Sequence, residues 1–386
     1  MTPTVKTGLD ILLERGHDAV NGRRIGFVTN HTAVDAQLRS AVDLLHTDER
    51  FELVHLYAPE HGVRGAAQAG DHIGRETDPQ TGLPVDSLYG VTRKPTPEML
   101  EGVEVLVFDI QDAGARFYTY ISTMMLAMEA AAENGIPYVV LDRPNPITGL
   151  HAEGTILDPT YESFVGIHPM PTRHAFTMGE LARFIAEERG LPEPQVIAME
   201  GWRREMWFDE TGLPFVQASP NLPTLDSLTV YPGTCIIEGT TLSEGRGTTR
   251  PFEYIGAPWI DATTLAETLR GRDLPGVLFR AASFTPSFSK HAGETCHGIQ
   301  LHLTDREVFR PVATAVHIVH ALKHLPGSRF EWRPGGALGM SAELLYGNGD
   351  LHTMIDAGAT PEEVMAGWDE PLAAFIEKAQ AAYLYA

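Results

Sequence analysis

The stretch Val103–Tyr120 constrains the fold of this chain more than any other. Its first residues, VEVLVF, are mostly apolar and rich in β-branched side chains, which predicts a strand buried on both faces of a sheet. The run ends in a polar cluster with Asp109, Asp112 and Arg116, and apolar residues at helical spacing follow over Phe117–Glu133. Because charged groups are costly to bury unless they are paired or used, the cluster indicates a functional site where a strand passes into a helix.

Three other apolar runs predict strands of the same kind, and helical patterns separate them along the chain. These predicted strands are Arg24–Thr29, Phe51–Tyr57 and Pro137–Leu141. Helices are predicted at Leu9–Glu14, Ala36–Leu45 and Met178–Arg189. Strands that alternate with helices are typical of a mostly parallel sheet built from βαβ units, so we predict an α/β fold.

Each of the four predicted strands ends in polar residues. The four ends are Asn30–His31, Glu60–His61, Asp109–Asp112 and Asp142–Arg143. Crossover connections place the carboxyl ends of parallel strands on the same edge of a sheet, so we expect these ends to lie side by side. Ligands of open α/β sheets bind in the crevice outside this edge. The sequence therefore predicts a site built from the ends of all four strands.

Glu60 is one candidate for acid–base chemistry at this edge. Glu60 and His61 lie directly after the second strand and before Gly62, so both side chains can project into the crevice. A carboxylic acid with apolar and aromatic neighbours can serve as a general acid. The alternative is an ion pair between Glu60 and Arg64 that only fixes the loop.

Asp109 and Asp112 allow several interpretations. Either carboxylate can act as a general base, a nucleophile or a metal ligand. Alternatively, both accept hydrogen bonds from the N-terminus of the following helix, which favours anions. Local sequence does not separate these interpretations.

Five arginines in polar loops form a second set of candidates. The planar guanidinium group suits the recognition of carboxylate or phosphate groups. Five such groups in a strongly acidic protein indicate an anionic group on the substrate, although each one alone can be a structural partner of a nearby Asp or Glu. The five residues are Arg64, Arg116, Arg143, Arg246 and Arg250.

A metal site is the alternative that the histidines raise. The residues His31, His61, Asp71 and His72 have side chains that suit zinc or manganese, but no HExxH motif occurs and the spacing specifies neither metal. The first βα junction reads VTNHTAVD and lacks the GxGxxG turn of dinucleotide-binding proteins. We therefore predict no metal and no cofactor, and we keep a metal-dependent hydrolase as an alternative.

Composition limits the partners of the protein. The formal net charge of −22 argues against nucleic acid or an anionic membrane surface. Two cysteines without a CxxC motif indicate neither a disulfide framework nor a thiolate zinc site. We see no secretory signal and no apolar run of about eighteen residues that could span a membrane. A cytoplasmic enzyme with a small-molecule substrate is the expectation, and the oligomeric state stays open.

The second half of the chain begins with a predicted binding loop. Cys235–Glu238 is predicted to start a strand that opens into Gly239–Glu253, where charges of both signs lie among glycine and hydroxyl residues. The composition changes near Ile255–Ala262, so we predict a first domain over residues 1–257 and a smaller α+β domain over residues 258–386. Predicted elements of the smaller domain are Ala262–Arg270, Val277–Phe284, Gly298–Leu303, Phe309–Leu325 and Pro361–Tyr385. The aperiodic segment Ala66–Lys94 is long enough to predict a functional or disordered loop.

Five motifs together are distinctive. They are TNHT at 29–32, PEHGVRG at 59–65, FDIQDAGARFYTY at 108–120, DRPNP at 142–146 and EGTTLSEGRGTTRPFE at 238–253. With these motifs, nearly the whole chain resembles the exo-β-N-acetylmuramidase family, NamZ-like glycoside hydrolases formerly classed as a domain of unknown function. The resemblance implies a Rossmann-like domain, a smaller C-terminal domain and an active site in the cleft between them. It also implies release of N-acetylmuramic acid from the non-reducing end of peptidoglycan fragments.

The resemblance also implies roles for individual residues. The glutamate of the family's Glu-His-Gly motif is its proposed catalytic acid and corresponds to Glu60, and we predict Asp109 or Asp112 as its catalytic partner. The lactyl carboxylate of N-acetylmuramic acid would give the arginines an anion to bind. A non-catalytic muropeptide-binding protein is a further alternative. The predicted substrate-binding residues are Asn30, His31, His61, Arg64, Arg116, Tyr118, Asp142, Arg143, Asn145, Glu244, Arg246 and Arg250.

Overall fold

The computed structural model describes residues 5–65, 76–333 and 341–386. Its strands are β1 (Arg24–Thr29), β2 (Glu52–Ala58), β3 (Glu76–Thr77), β4 (Pro84–Ser87), β5 (Val105–Asp109), β6 (Tyr138–Leu141), β7 (Glu153–Ile156), β8 (Pro171–Arg173), β9 (Gln195–Ile197), β10 (Tyr254–Ala257), β11 (Val277–Phe284) and β12 (Cys296–Leu303). Its α-helices are α1 (Gly8–Arg15), α2 (Ala41–Thr47), α3 (Tyr120–Glu133), α4 (Met178–Arg189), α5 (Leu225–Thr234), α6 (Ala262–Arg270), α7 (Pro311–His324), α8 (Ala342–Tyr346), α9 (Asp350–Asp356), α10 (Pro361–Met365) and α11 (Asp369–Ala379).

A seven-stranded sheet forms the centre of the first half of the chain. Its strand order is β3–β4–β2–β1–β5–β6–β9. All neighbours from β4 to β9 pair in parallel, and the short edge strand β3 runs antiparallel to β4. The structure thus confirms the mostly parallel, Rossmann-like sheet that the sequence predicts.

Helices cover both faces of this sheet. Ile25 and Phe27 of β1 lie in one core cluster with Leu12 of α1 and Leu45 of α2. The adjacent Val28 points to the opposite face and lies in the second cluster, which contains α3 and α4. Successive side chains of a strand alternate between faces, so a continuous apolar run fits only a strand buried on both sides.

The second half of the chain adds an antiparallel sheet with helices packed on it. The sheet has the order β10–β12–β11. A separate antiparallel pair, β7 with β8, belongs to the first half of the chain. Leu265 of α6 and Val316 of α7 share a core cluster with Phe279 of β11 and Ile299 of β12. This is the α+β arrangement predicted for the C-terminal part, and its core is continuous with the cluster around α3 and α4.

Arg116 connects the two halves through backbone contacts. Its guanidinium donates hydrogen bonds to four carbonyl oxygens, those of Thr155 (2.7 Å), Met170 (2.8 Å), Leu345 (3.0 Å) and Tyr346 (2.7 Å). Burial lowers the pKa of Arg116 to about 9, so the group stays charged at neutral pH. Leu345 and Tyr346 end α8, and a cation is favourable at a helix C-terminus. Through these contacts Arg116 holds the two halves of the chain together, so its role is structural.

The helix predicted at Ala36–Leu45 begins only at Ala41. Asp35 accepts hydrogen bonds from the backbone N–H groups of Gln37 and Arg39, both at 2.9 Å. Such local side-chain bonds compete with the first turn of a helix, because they satisfy the same donors in a turn. The predicted start was therefore wrong by one turn and a half.

The strand predicted to start at Cys235–Glu238 is also wrong. The residues Cys235–Gly239 form a 3-10 turn that directly continues α5, a helix that the sequence pattern did not predict. Pro232 lies inside α5 and normally argues against a helix. Gly233 has a tertiary role, since a Cβ atom there would lie 1.9 Å from the carbonyl oxygen of Pro311 in α7. Close packing of α5 on α7 overrides the local helix-breaking signal.

The segment predicted as the loop Ala66–Lys94 contains regular structure in its described part. β4 pairs in parallel with β2, and its Val85 is buried. Residues 66–75 lie outside the described residues. Of the helices in the described part of the chain, none combines the length and the apolarity that a membrane span requires.

Candidate active site

The ends of four neighbouring strands meet at one edge of the central sheet. β2, β1, β5 and β6 are adjacent and parallel in this order. Glu60 follows β2, Asn30 follows β1, Asp112 follows β5 and Asp142 follows β6. The sequence prediction that these polar ends share one edge is confirmed.

A tight turn positions Glu60 after β2. The N–H group of Gly62 donates a hydrogen bond to the carbonyl oxygen of Pro59 at 3.1 Å. His61 and Gly62 both adopt left-handed backbone conformations, with φ of 76° and 77°. This conformation is unfavourable for a residue other than glycine, and such strain is concentrated at functional sites. The turn leaves the Glu60 side chain half-buried, while His61 is buried.

A hydroxyl group orients the carboxylate of Glu60, and a second hydroxyl lies nearby. The Thr119 hydroxyl donates a hydrogen bond to its Oε2 atom at 2.9 Å. The pKa of the Tyr89 hydroxyl is raised first by burial and then by the nearby charge of Glu60. Arg93 and Arg246 act on the Tyr89 hydroxyl in the opposite direction. Glu60, Tyr89, Arg93 and Arg246 therefore lie close together, and we call this group of polar side chains the Glu60 cluster.

Asp112 is held by a histidine and a backbone amide. Its Oδ2 atom accepts a hydrogen bond from the N–H group of Gly114 at 2.7 Å and lies 3.0 Å from His174 Nε2. The N–H group of Phe176 donates to His174 Nδ1 at 3.1 Å, so Nε2 is the protonated nitrogen that faces the carboxylate. The Oδ1 atom is buried and receives no hydrogen bond from the described residues.

Tyr120 lies between Glu60 and Asp112. Burial, followed by the charge of Glu60, raises the pKa of Tyr120, and the charge of Asp112 adds to the effect. The hydroxyl oxygen is 3.0 Å from the carbonyl oxygen of Ala218 and 3.5 Å from that of Glu60. The two carboxylates thus flank one buried tyrosine.

Asp109 has a different environment. Its carboxylate is fully buried and forms a bidentate ion pair with Arg143, with 2.9 Å between Oδ2 and Nη2. Arg143 also donates a hydrogen bond to the carbonyl oxygen of Val34 at 3.1 Å. Each of these two predicted site residues is thus the main partner of the other, and the pair links β5 to the segment after β6.

Asp142 and Asn145 organise the polypeptide after β6. Asp142 accepts hydrogen bonds from the hydroxyl groups of Tyr385 (2.6 Å) and Thr177 (2.8 Å), and burial raises its pKa to about 7. The side chain of Asn145 donates to the carbonyl oxygen of Phe176 at 2.8 Å. Both residues therefore connect the end of β6 to the start of α4, and these bonds give them structural roles.

Of the predicted metal ligands, His31 and His61 lie among the described residues, and they are close enough for His61 to contribute to the lowered pKa of His31. His31 Nε2 lies 2.9 Å from the carbonyl oxygen of Gln217, and burial is the main cause of its lowered pKa. Asp71 and His72 lie outside the described residues. Within residues 5–65, 76–333 and 341–386, no group of three or more His, Cys, Asp or Glu side chains could hold a metal ion.

Two of the predicted arginines bind carboxylates away from Glu60. Arg64 bridges Asp78 (2.8 Å) and Asp43 (2.8 Å). Arg250 pairs with Glu253 at 3.3 Å, and its side chain is partly exposed. The structure brings neither of them into the cluster around Glu60.

The loop after α5 brings the second half of the chain to the site. Arg246 lies 5.1 Å above the ring of Phe252 and pairs with Glu238 at 2.6 Å. Glu244 lies 3.4 Å from Arg246 and 2.8 Å from Lys290. The predicted residues Glu244 and Arg246 therefore form one ionic network at the edge of the Glu60 cluster.

Tyr118 extends this contact through aromatic rings. Its ring centre is 4.7 Å from that of Tyr120 and 6.1 Å from that of Tyr231, which in turn lies 4.8 Å from Phe252. Its hydroxyl group is buried and has no hydrogen-bond partner in the described part of the chain. The aromatic contacts place the loop of the second half directly beside the Glu60 cluster.

Sequence reasoning missed several residues of this site. Thr119 lies in a quoted motif, but nothing in the motif indicates that its hydroxyl binds Glu60. Tyr89 and Arg93 lie in the segment predicted as a loop, and His174 is 62 positions from Asp112. The only available signal was the predicted functional role of the long loop.

The comparison with known families decides the assignment. The family model of the N-terminal part of exo-β-N-acetylmuramidase NamZ matches residues 25–226, and that of the C-terminal part matches residues 229–385. The chain belongs to the exo-β-N-acetylmuramidase NamZ family. The two family models meet between residues 226 and 229, whereas the division at residues 257 and 258 stays a prediction.

Three individual proteins resemble this chain over nearly its whole length. The chain is 52% identical to the peptidoglycan β-N-acetylmuramidase NamZ of Bacillus subtilis over 374 residues, which cover 97% of this chain and 89% of that protein. A DUF1343 family protein of Bacteroides fragilis has a similar crystal structure, with a TM-score of 0.92, 38% identity and full coverage of both chains. A second one from the same organism has a TM-score of 0.78 and 30% identity, with 99% of each chain covered.

Proposed function

We propose that this protein releases N-acetylmuramic acid from the non-reducing end of peptidoglycan fragments, with Glu60 as the general acid. Family membership and the Bacillus subtilis relative confirm the predicted enzyme class, a glycoside hydrolase with β-N-acetylmuramidase activity. The position of Glu60 is the observation that supports its role as the general acid. Its carboxylate lies half-buried at the sheet edge and is oriented by Thr119 at 2.9 Å.

Asp112 is the proposed partner of Glu60. Glycoside hydrolysis passes through a transition state with positive charge near the anomeric carbon, so a second negative group is needed. Asp109 is neutralised by the bidentate contact with Arg143. Asp112 faces only a histidine and a backbone amide, and its Oδ1 atom has no donor among the described residues. Its charge, unlike that of Asp109, is therefore available to stabilise the transition state.

The proposed reaction consumes one water molecule for each glycosidic bond that is broken. The glycosidic C–O bond breaks while Glu60 gives its proton to the departing oxygen. Over the complete reaction, one water molecule supplies a hydroxyl group to the anomeric carbon and a proton that restores Glu60. Asp112 stays ionised and stabilises the positive charge that develops on the sugar.

The product pattern tests the proposed function. A linear chain with alternating N-acetylmuramic acid and N-acetylglucosamine should release free N-acetylmuramic acid only when this sugar is at the non-reducing end. The same chain capped there by N-acetylglucosamine is the control and should remain intact. Mass spectrometry of the products distinguishes the cases. Disaccharides from internal cleavage, or no cleavage of either chain, would contradict the proposal.

The pair of Asp112 and His174 gives a separate prediction. Asp112→Asn should lower kcat by about ten- to a hundredfold with little change in KM, because a transition-state interaction is lost. His174→Gln keeps an N–H donor near Asp112 and should retain more activity than His174→Phe. Steady-state kinetics on a chromogenic N-acetylmuramic acid glycoside measures these effects.

A matched control comes from another histidine–carboxylate pair. His352 Nδ1 lies 2.6 Å from Glu343 in the C-terminal part of the chain. Glu343→Gln should leave kcat unchanged. Equal kcat values for Asp112→Asn and the parent enzyme would remove Asp112 from the proposed mechanism. The cytoplasmic location expected from the sequence stays a prediction.

A further inference from the structure

The five arginines predicted to bind an anion all have partners within the protein. Four of them form ion pairs with carboxylates, and Arg116 binds only backbone carbonyl oxygens. A guanidinium that is saturated by carboxylates contributes little net positive charge to a ligand. The four ion-paired residues are Arg64, Arg143, Arg246 and Arg250.

Arg93 differs from these five arginines. Its side chain is exposed, and its guanidinium lies 4.5 Å above the ring of Phe164. In the described part of the chain, Arg93 makes no ion pair and donates no side-chain hydrogen bond. Stacking on an aromatic face restrains the guanidinium plane while its N–H groups stay available at the edge. Among the described residues, Arg93 is therefore a restrained cation without a carboxylate partner.

The position of Arg93 places it beside the proposed acid. The ring of Phe164, on which Arg93 stacks, lies 6.0 Å from the ring of Tyr89. The charges of Glu60 and of Arg93 both act on the Tyr89 hydroxyl, so both groups lie near it. Arg93, Phe164, Tyr89 and Glu60 are thus neighbouring side chains.

We infer that Arg93 is a specificity residue that binds a carboxylate on the 3-O substituent of the sugar held next to Glu60. A planar guanidinium recognises a carboxylate through two parallel hydrogen bonds. The carboxylate has two chemical sources, the lactyl acid of N-acetylmuramic acid itself or the terminal acid of a peptide linked to it. The inference rests on the proposed function, since Glu60 defines where the scissile sugar lies.

Four chromogenic glycosides separate the possibilities. They carry N-acetylmuramic acid, the same sugar with its lactyl acid converted to a methyl amide, the same sugar with a short peptide on the lactyl group, and N-acetylglucosamine. Arg93→Gln should lower kcat/KM for N-acetylmuramic acid by about ten- to a hundredfold, as expected for loss of a charged hydrogen bond. The values for the methyl amide and for N-acetylglucosamine should not change. Arg93→Lys keeps the charge without the planar fork and should show a smaller loss.

Arg24→Gln is the matched control. Arg24 is a partly exposed arginine at the first residue of β1, on the opposite edge of the sheet from Glu60. This variant removes the same charge and should hydrolyse all four glycosides like the parent enzyme. Thermal unfolding of each variant verifies that the fold is retained.

Each outcome of this experiment has a defined meaning. A loss confined to the peptide-bearing glycoside assigns the peptide acid as the ligand, and a loss confined to free N-acetylmuramic acid assigns the lactyl acid. An equal loss on all four glycosides, or no loss on any, overturns the role of Arg93. If the parent enzyme hydrolyses none of the four glycosides, the proposed function fails, and this result is distinct from a failure of Arg93 alone.

Discussion

Glu60→Gln should lower kcat for a sugar–sugar bond by more than about a hundredfold, because the departing oxygen then receives no proton from the protein. The size of the loss should depend on the leaving group. A glycoside of dinitrophenol needs little protonation and should keep most of its turnover in the variant. Steady-state kinetics on both substrates measures the contrast. A structural role of Glu60 would lower both rates alike.

A control for this substitution lies at the other edge of the sheet. Glu104 is a partly exposed glutamate directly before β5, and its side chain accepts a hydrogen bond from the N–H group of Arg24 at 3.0 Å. Glu104→Gln removes the same charge and should not change either rate. Undiminished hydrolysis of the sugar–sugar bond by folded Glu60→Gln would exclude Glu60 as the general acid.

Asp109→Asn should destabilise the protein by about 3–5 kcal/mol, because it leaves the buried guanidinium of Arg143 without its charged partner. The exposed fraction is 0% for Asp109 and 5% for Arg143, so solvent replaces little of the lost interaction. The turnover of the folded fraction should stay within about tenfold of the parent value, since we assign the stabilising charge to Asp112. Denaturant unfolding and kinetics at low temperature measure the two effects.

A double-mutant cycle gives the control for this prediction. The combined variant with Asp109→Asn and Arg143→Gln should be more stable than the sum of the single losses predicts, because the two side chains contact each other directly. The contrary result is a stable Asp109→Asn variant with the kinetic defect of Glu60→Gln. It would make Asp109 rather than Asp112 the catalytic partner.

Local sequence predicts the parts of the fold that local interactions stabilise. Sequence predicts α4 with its observed bounds, and its ends explain this agreement. The hydroxyl of Thr177 accepts the N–H group of Glu180 in a capping box, and Gly190 ends the helix in the left-handed conformation. Where a long-range contact competes, as at Gly233 between α5 and α7, the local pattern fails.

The candidate site, like the fold, could be predicted from the sequence only in part. The place of Glu60 at the sheet edge follows from the apolar runs, since these define the strands and parallel strands end on one side. The partners of the polar groups do not follow from such patterns. Asp109 binds Arg143 across 34 positions, and Asp112 binds His174 across 62. Side chains of the same type therefore have different roles that spacing cannot distinguish.

By itself, the sequence determined the parallel sheet, the edge at which its polar strand ends meet, and the family to which the motifs belong. The tertiary structure alone decided which charges are neutralised inside the protein and which remain for a ligand. The physical reason is distance. Hydrophobic periodicity acts over a few neighbouring residues, whereas an ion pair or a hydrogen bond depends on side chains that approach within about 3 Å from remote parts of the chain. Local sequence does not distinguish Arg93 from Arg143. Only the tertiary structure shows that Arg143 pairs with Asp109, whereas Arg93 stacks on Phe164.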